Sequence, residues 1–317
     1  MTHGPRTEYL PSLHIYWMRA NLMKLNFEQH MDQRPELRPH QPEFLSYFSR
    51  EENPIVHLYL DCFVSGVYVT MEGYDELKCQ VDAITTIRNN TPNFMEHMKG
   101  YRNSTCHFET MSERTKKMSG LELPPLQAIY SIHNTVGQYL LDFLKTCEGT
   151  KLNMNPSTPN RSPSSLNLYP CKHDLIFDFH RFAEAWIRAD EFRKKFYRQL
   201  GYPQHHGTYD IDLYAYLDYW YAFLYILIEG YKKLGLRDSN IDNTLNGSHS
   251  TYLKKYRHAV FDFKKDYGGV ALKKEFLTSE KPVEWVSTLH ESFRVFIGSE
   301  LGKSMNSEKG ALFVLRD

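Results

Sequence analysis

The chain has 317 residues, of which 41% are hydrophobic and 14% aromatic, enough material to bury two modest cores. Its 38 Lys and Arg balance 38 Asp and Glu, so the chain as a whole does not hold nucleic acid through bulk charge. No run approaches the roughly 18 apolar residues of a membrane span, and the start, Met1-Thr2-His3-Gly4-Pro5-Arg6, lacks a signal-peptide core. The 5 cysteines are odd in number and without metal-type spacing, which fits reduced thiols. A cytoplasmic protein without membrane contact is expected.

In chain order the predicted elements are helices nearly throughout. The first carries Trp17-Met18-Arg19-Ala20 and is followed by a proline-punctuated loop from Arg34 to Pro42. A largely apolar helix is expected over Leu58–Leu77, then one over Asn93–Met111 starting after Thr91-Pro92, and an amphipathic closing helix over Pro125–Leu144. Residues 148–172 are rich in Asn, Pro, Ser and Thr, have no apolar period and read as a linker. A similar series follows: Trp186-Ile187-Arg188-Ala189, an apolar helix over Tyr216–Leu234, a segment over Ser248–Phe263 starting after Asn246-Gly247, and a closing helix over Val283–Leu301. Strand signals are almost absent. The economical reading is all-α, with four or five helices per copy in up-and-down bundles over 8–147 and 173–303, and a tail over 304–317.

These series are copies of one another. Tyr59-Leu60-Asp61 and Met71-Glu72-Gly73-Tyr74 recur as Tyr216-Leu217-Asp218 and Ile228-Glu229-Gly230-Tyr231, 157 residues later. Ile132-His133 recurs as Leu289-His290 at the same offset, while the Trp-x-Arg-Ala block recurs at 169, the difference falling on the proline loop. Between them lies the most informative block: Tyr101-Arg102-Asn103-Ser104-Thr105-Cys106-His107-Phe108 is answered by Tyr256-Arg257-His258-Ala259-Val260-Phe261-Asp262-Phe263. Duplicated bundles pack as a pseudo-twofold pair, reproducing within one chain the contact of a homodimer. Charge is spread almost evenly, about −3 over residues 1–157 and +3 beyond, and clusters such as Arg193-Lys194-Lys195 read as solvated helix faces.

Arg102 and His107, each with a polar neighbour after the arginine (Asn103, and His258 in the second copy), resemble the Arg-x(4–6)-His signature of the HEPN superfamily. The resemblance covers both bundles and neither the linker nor the chain ends. It implies a helical domain that pairs so that two Arg/His motifs face each other across a cleft. In active members such a cleft is a metal-independent endoribonuclease, of the kind frequent among toxins and antiphage-defence proteins. Inactive members are RNA-binding, nucleotide-binding, regulatory or scaffolding modules that take RNA or a protein partner. Carried onto this sequence, the catalytic candidates are Arg102, His107, Arg257 and Asp262, supported by Asn103, His258, Glu72 and Glu229, with no cofactor and no metal. An imidazole can take a proton from a ribose 2′-hydroxyl, and arginines can grip the scissile phosphate.

Asp262 departs from the pattern. A carboxylate beside arginines stays ionised, so it can orient a group but hardly serve as a general acid. Two readings stay open: a one-sided nuclease with His107 as sole acid/base, or a pseudoenzyme in which Asp262 pairs with Arg102 or Arg257 and closes the site. If His107 is helical, it lies about 140° from Arg102 around the axis, and the two converge only through the arginine's reach. A structural alternative has Arg102 and Arg257 pairing with Glu72 and Glu229 inside their own bundles. His133 and His290 are expected at helix interfaces, and Trp17, Trp186, Tyr74 and Tyr231 in the core. The chain holds no Gly-x-Gly-x-x-Gly, P-loop lysine, Gly-x-Ser-x-Gly or His-Glu-x-x-His motif, and His205-His206 has no ligand spacing. A haem-binding helical oxygenase is a minor alternative, kept by the Tyr, Trp and His content.

Overall fold

The computed structural model describes residues 7–33, 54–109, 124–148, 174–201, 211–266 and 269–306. The proline loop, most of the linker and most of the tail lie outside them. The described residues form eleven α-helices and no strand. In the first half these are α1 (Leu10–Asp32), α2 (Pro54–Glu76), α3 (Asp82–Asn89), α4 (Phe94–Cys106) and α5 (Leu126–Glu148). The second half holds α6 (Asp174–Leu200), α7 (Ile211–Lys233), α8 (Ser239–Leu245), α9 (His249–Phe261), α10 (Val270–Leu277) and α11 (Pro282–Asn306). Its six helices exceed the expected four or five per copy because two short ones, α8 and α10, flank the motif helix α9.

Local chemistry explains most boundaries. α11 begins at Pro282, where the missing N–H costs nothing because that group has no intrahelical partner. Asp238 caps α8, its side chain accepting from the backbone N–H groups of Asn240 and Ile241 at 2.9 and 3.0 Å. α2 and α7 are apolar on almost every side and lie at the centre of their halves, α2 against α1 and α4, α7 against α6 and α9. His133 and His290 are buried against the indoles of Trp17 and Trp186, at centroid distances of 5.2 and 5.8 Å. Tyr74 and Tyr231 are core residues, while Trp17 and Trp186 pack half-buried at its edge.

Contacts between the halves come in exchanged pairs. α1 touches α7 and α6 touches α2, while α2 touches α9 and α7 touches α4. Arg19, from the first Trp-x-Arg-Ala block, binds Asp218 of the second half at 2.5 Å, and Arg188, from the second block, binds Asp61 of the first at 2.7 Å. Each aspartate also accepts from the tyrosine that precedes its own motif arginine: Tyr101 donates to Asp61, and Tyr256 to Asp218 at 2.7 Å. All four charged side chains are at most 7% exposed and are neutralised in place, Asp218 also by Lys273 at 2.7 Å and Arg188 also by Glu184 at 2.5 Å. Asn26 and Lys195, which occupy equivalent places in the two blocks, meet directly at 3.2 Å.

Glycine marks the other exchanged pair. A Cβ on Gly230 would lie 2.7 Å from the ring of Phe108, and one on Gly73 would strike the ring of Phe263. The phenylalanine ending each motif thus packs on the Glu-Gly-Tyr block of the other half, where only glycine leaves room.

Candidate active site at the junction of the halves

α4 ends at Cys106 and α9 at Phe261, one residue short of the key position in each copy. His107 and Asp262 are the C-caps, both extended, with φ −128°, ψ 147° and φ −121°, ψ 138°. The helical-face expectation is therefore corrected. His107 is outside the helix, and its chain turns so that the side chain leaves its own half and faces the other.

The motif side chains cross over. Arg102 Nη1 donates to Asp262 Oδ1 at 3.2 Å, and Arg257 Nη1 lies 3.1 Å from His107 Nε2 and 3.3 Å from Nδ1. Within its own half each arginine also holds the expected glutamate, Arg102 to Glu72 at 3.4 Å and Arg257 to Glu229 at 2.9 Å. Each guanidinium sits over a tyrosine ring one turn before that glutamate, Tyr68 at 5.0 Å and Tyr225 at 5.3 Å. The structural alternative and the composite geometry therefore hold together: one set of arginine nitrogens faces home, the other faces across.

The two crossings differ in how completely they are satisfied. Asp262 is gripped twice, by Arg102 and by His258, whose Nδ1 lies 2.9 Å from Oδ2. Burial pushes its carboxyl up, but the His258 hydrogen bond and the Arg102 charge more than offset this and leave it below the ordinary aspartate value. His107 has no carboxylate at close range; Glu229 Oε2 stands 3.8 Å from its Nδ1. Burial, then the charges of Arg257 and Arg102, push its imidazole down to about 4, so at neutral pH it is an uncharged base that accepts from Arg257. Glu229 Oε2 and Arg257 Nε are buried without a hydrogen-bond partner among the described residues.

A cleft of about 620 Å³ opens on the His107 side, lined by Asn103, His107, Phe108 and Glu109 from the first half and Glu229, Lys232 and Lys233 from the second. All eight candidate residues meet at this junction. Asn103 and Glu229 line the cleft beside His107, while His258 and Glu72 belong to the Arg102–Asp262 side. The motif does not single out Tyr68, Tyr225, Lys232 or Lys233. A signal existed for the tyrosines, since Tyr-x-x-x-Glu recurs at the same 157-residue offset. For the lysines the first copy has no match, and only the fold brings them to the cleft.

Among the described residues no helix is long and apolar enough to cross a membrane, and no group of three or more His, Cys, Asp or Glu is placed to hold a metal ion. The fold and site define an all-helical protein with a cleft shared between two halves of its chain. In comparison with known proteins, the chain matches no family model, no curated sequence and no solved structure.

Proposed function

We propose that this chain is a HEPN-like, metal-independent endoribonuclease working on one side of a pseudo-twofold pair of bundles, of the toxin or antiphage-defence kind. The observation that carries the reading is the crossing of Arg257 to His107, which unites half-motifs some 150 residues apart at an open cleft. In this reading a phosphodiester takes the Arg257 guanidinium, and His107, relieved of that positive neighbour, becomes more basic. The imidazole removes the 2′-hydroxyl proton, and the 2′-oxygen bonds to phosphorus as the bond to the 5′-oxygen breaks. The 5′-oxygen gains a proton from water, and His107 returns its own to solvent. Glu229, 3.8 Å from Nδ1, is a positioning residue for the imidazolium.

Incubation with mixed RNA in EDTA tests this. Wild type is expected to leave 2′,3′-cyclic phosphate ends, and His107→Ala none; absence of cleavage by wild type across varied RNAs sinks the proposal. The double grip on Asp262 favours a second reading, a catalytically degenerate RNA- or nucleotide-binding regulator. Binding without cleavage by the wild type would select it.

A further inference from the structure

The halves differ around the junction at more than the motif. At the end of α7 the cleft is rimmed by Lys232 and Lys233, both exposed. The equivalent places at the end of α2 hold Asp75 and Glu76. Those carboxylates are already engaged, Asp75 by Arg88 at 2.7 Å and Glu76 by Lys265 at 2.6 Å. Complementing the negative end of a helix is the simplest role for a lysine there, but α2 ends on two acids in the same place, so the fold does not require it. Charge has therefore diverged in the same sense at two separate sets of positions: His107 and two lysines on one side, Asp262 and two acids on the other.

We infer that Lys232 and Lys233 form a second phosphate subsite, so that the cleft takes a strand with consecutive phosphodiesters, single-stranded RNA, on the His107 side alone. This rests on the RNA reading of the cleft given above. Glu229, which holds Arg257, lies three and four residues before the lysines, so both subsites share one face of α7 about one 5.4 Å turn apart. Lys233 Nζ donates to the Phe108 carbonyl at 3.4 Å, which holds its ammonium beside the segment that carries His107. Of the lining's two carboxylates, Glu229 is bound by Arg257, while Glu109 is buried and its main-chain carbonyl accepts from Arg181. One strand binds per chain, because the opposite rim presents acids.

The test is binding of a short fluorescent 2′-O-methyl oligouridylate, which lacks the attacking hydroxyl and stays intact, followed by anisotropy in EDTA from about 50 to 200 mM salt. Lys232→Ala/Lys233→Ala is expected to weaken binding about ten- to a hundredfold at the low-salt end and to reduce the salt slope by about 1.4, the share of two phosphates on a single strand. Lys232→Arg/Lys233→Arg retains binding, and Lys264→Ala/Lys265→Ala, on the opposite side, leaves it unchanged. Equal losses from both alanine pairs, or an unchanged slope in Lys232→Ala/Lys233→Ala, overturn the subsite. If wild type binds the strand as described yet cleaves no RNA, the nuclease reading falls and the subsite stands. If it does not bind the strand at all, the subsite falls too.

Discussion

Two polar layers pass between the halves, and they differ in what they tolerate. The inner one, Arg19 with Asp218 and Tyr256, Arg188 with Asp61 and Tyr101, uses the same residue types in both copies and is almost fully buried. In the outer one, Arg102 with Asp262 and Arg257 with His107, the arginines are as buried but the partners across the junction are about a third exposed, and they have diverged. Each of the inner aspartates is at most 3% exposed and faces a buried arginine of the other half, so both copies need the pair. In the outer layer each arginine also holds a glutamate of its own half, Glu72 or Glu229, so the position across can be a histidine while its twin is an aspartate. What is the same in both copies is buried between the halves; of what differs, His107 lines the cleft.

The largest effect should come from the inner layer. Asp218→Ala leaves Arg19 and Lys273 without their shared carboxylate, and a loss of about 3–5 kcal/mol is expected in urea unfolding. A loss under about 1 kcal/mol would erase the contrast between the layers. Next come the exchanged glycines. Gly230→Ala and Gly73→Ala press a methyl into Phe108 and Phe263 and are expected to cost about 1–3 kcal/mol, whereas Gly298→Ala, with open space around its Cβ, should stabilise by up to about 1 kcal/mol. Equal responses at all three would mean that the close packing is relaxed in solution.

The outer layer should respond more mildly. Asp262→Ala removes two charge-assisted hydrogen bonds and is expected to cost about 1–3 kcal/mol, while His107→Ala changes stability less but abolishes the proposed cleavage. The smallest effect concerns pH. The folded-state value of His107, about 4, is below the ordinary 6.5, so the folded protein binds this proton less readily than the unfolded chain. Its contribution is intact above pH 6.5 and lost as pH falls toward 4. Buried His133, pushed down by burial and by Lys24 to about 3, acts in the same direction over 6.5 to 3. His107→Gln should flatten part of the acid loss between pH 6.5 and 4, and the acid limb of wild-type kcat/KM, which reports the free protein, should lie well below pH 6.5. A kcat/KM limb at 6.5 would mean that in solution the imidazole is neither buried nor faced by Arg257 as described.

Much of the fold was legible without coordinates. The apolar faces of α2 and α7, the prolines and the turn residues are local signals, and helix formation depends chiefly on neighbours within a turn or two. The Glu72–Arg102 and Glu229–Arg257 pairs were readable because they recur together. The end of α4 was less legible. Nothing in the run Ser104-Thr105-Cys106-His107 stops a helix by itself, and the chain breaks there where Phe108 reaches across to Gly230.

By itself, then, the sequence determined an all-helical chain of two copies with arginine motifs at matching places, because period and repetition are written in adjacent residues. Only the tertiary structure decided that each arginine reaches the other copy's variable position, that Asp262 is bound twice while His107 faces a cleft, and that Lys232 and Lys233 rim it. Such contacts join residues some 150 positions apart, and their geometry is set by how two apolar surfaces and two buried ion pairs dock, which no local pattern encodes.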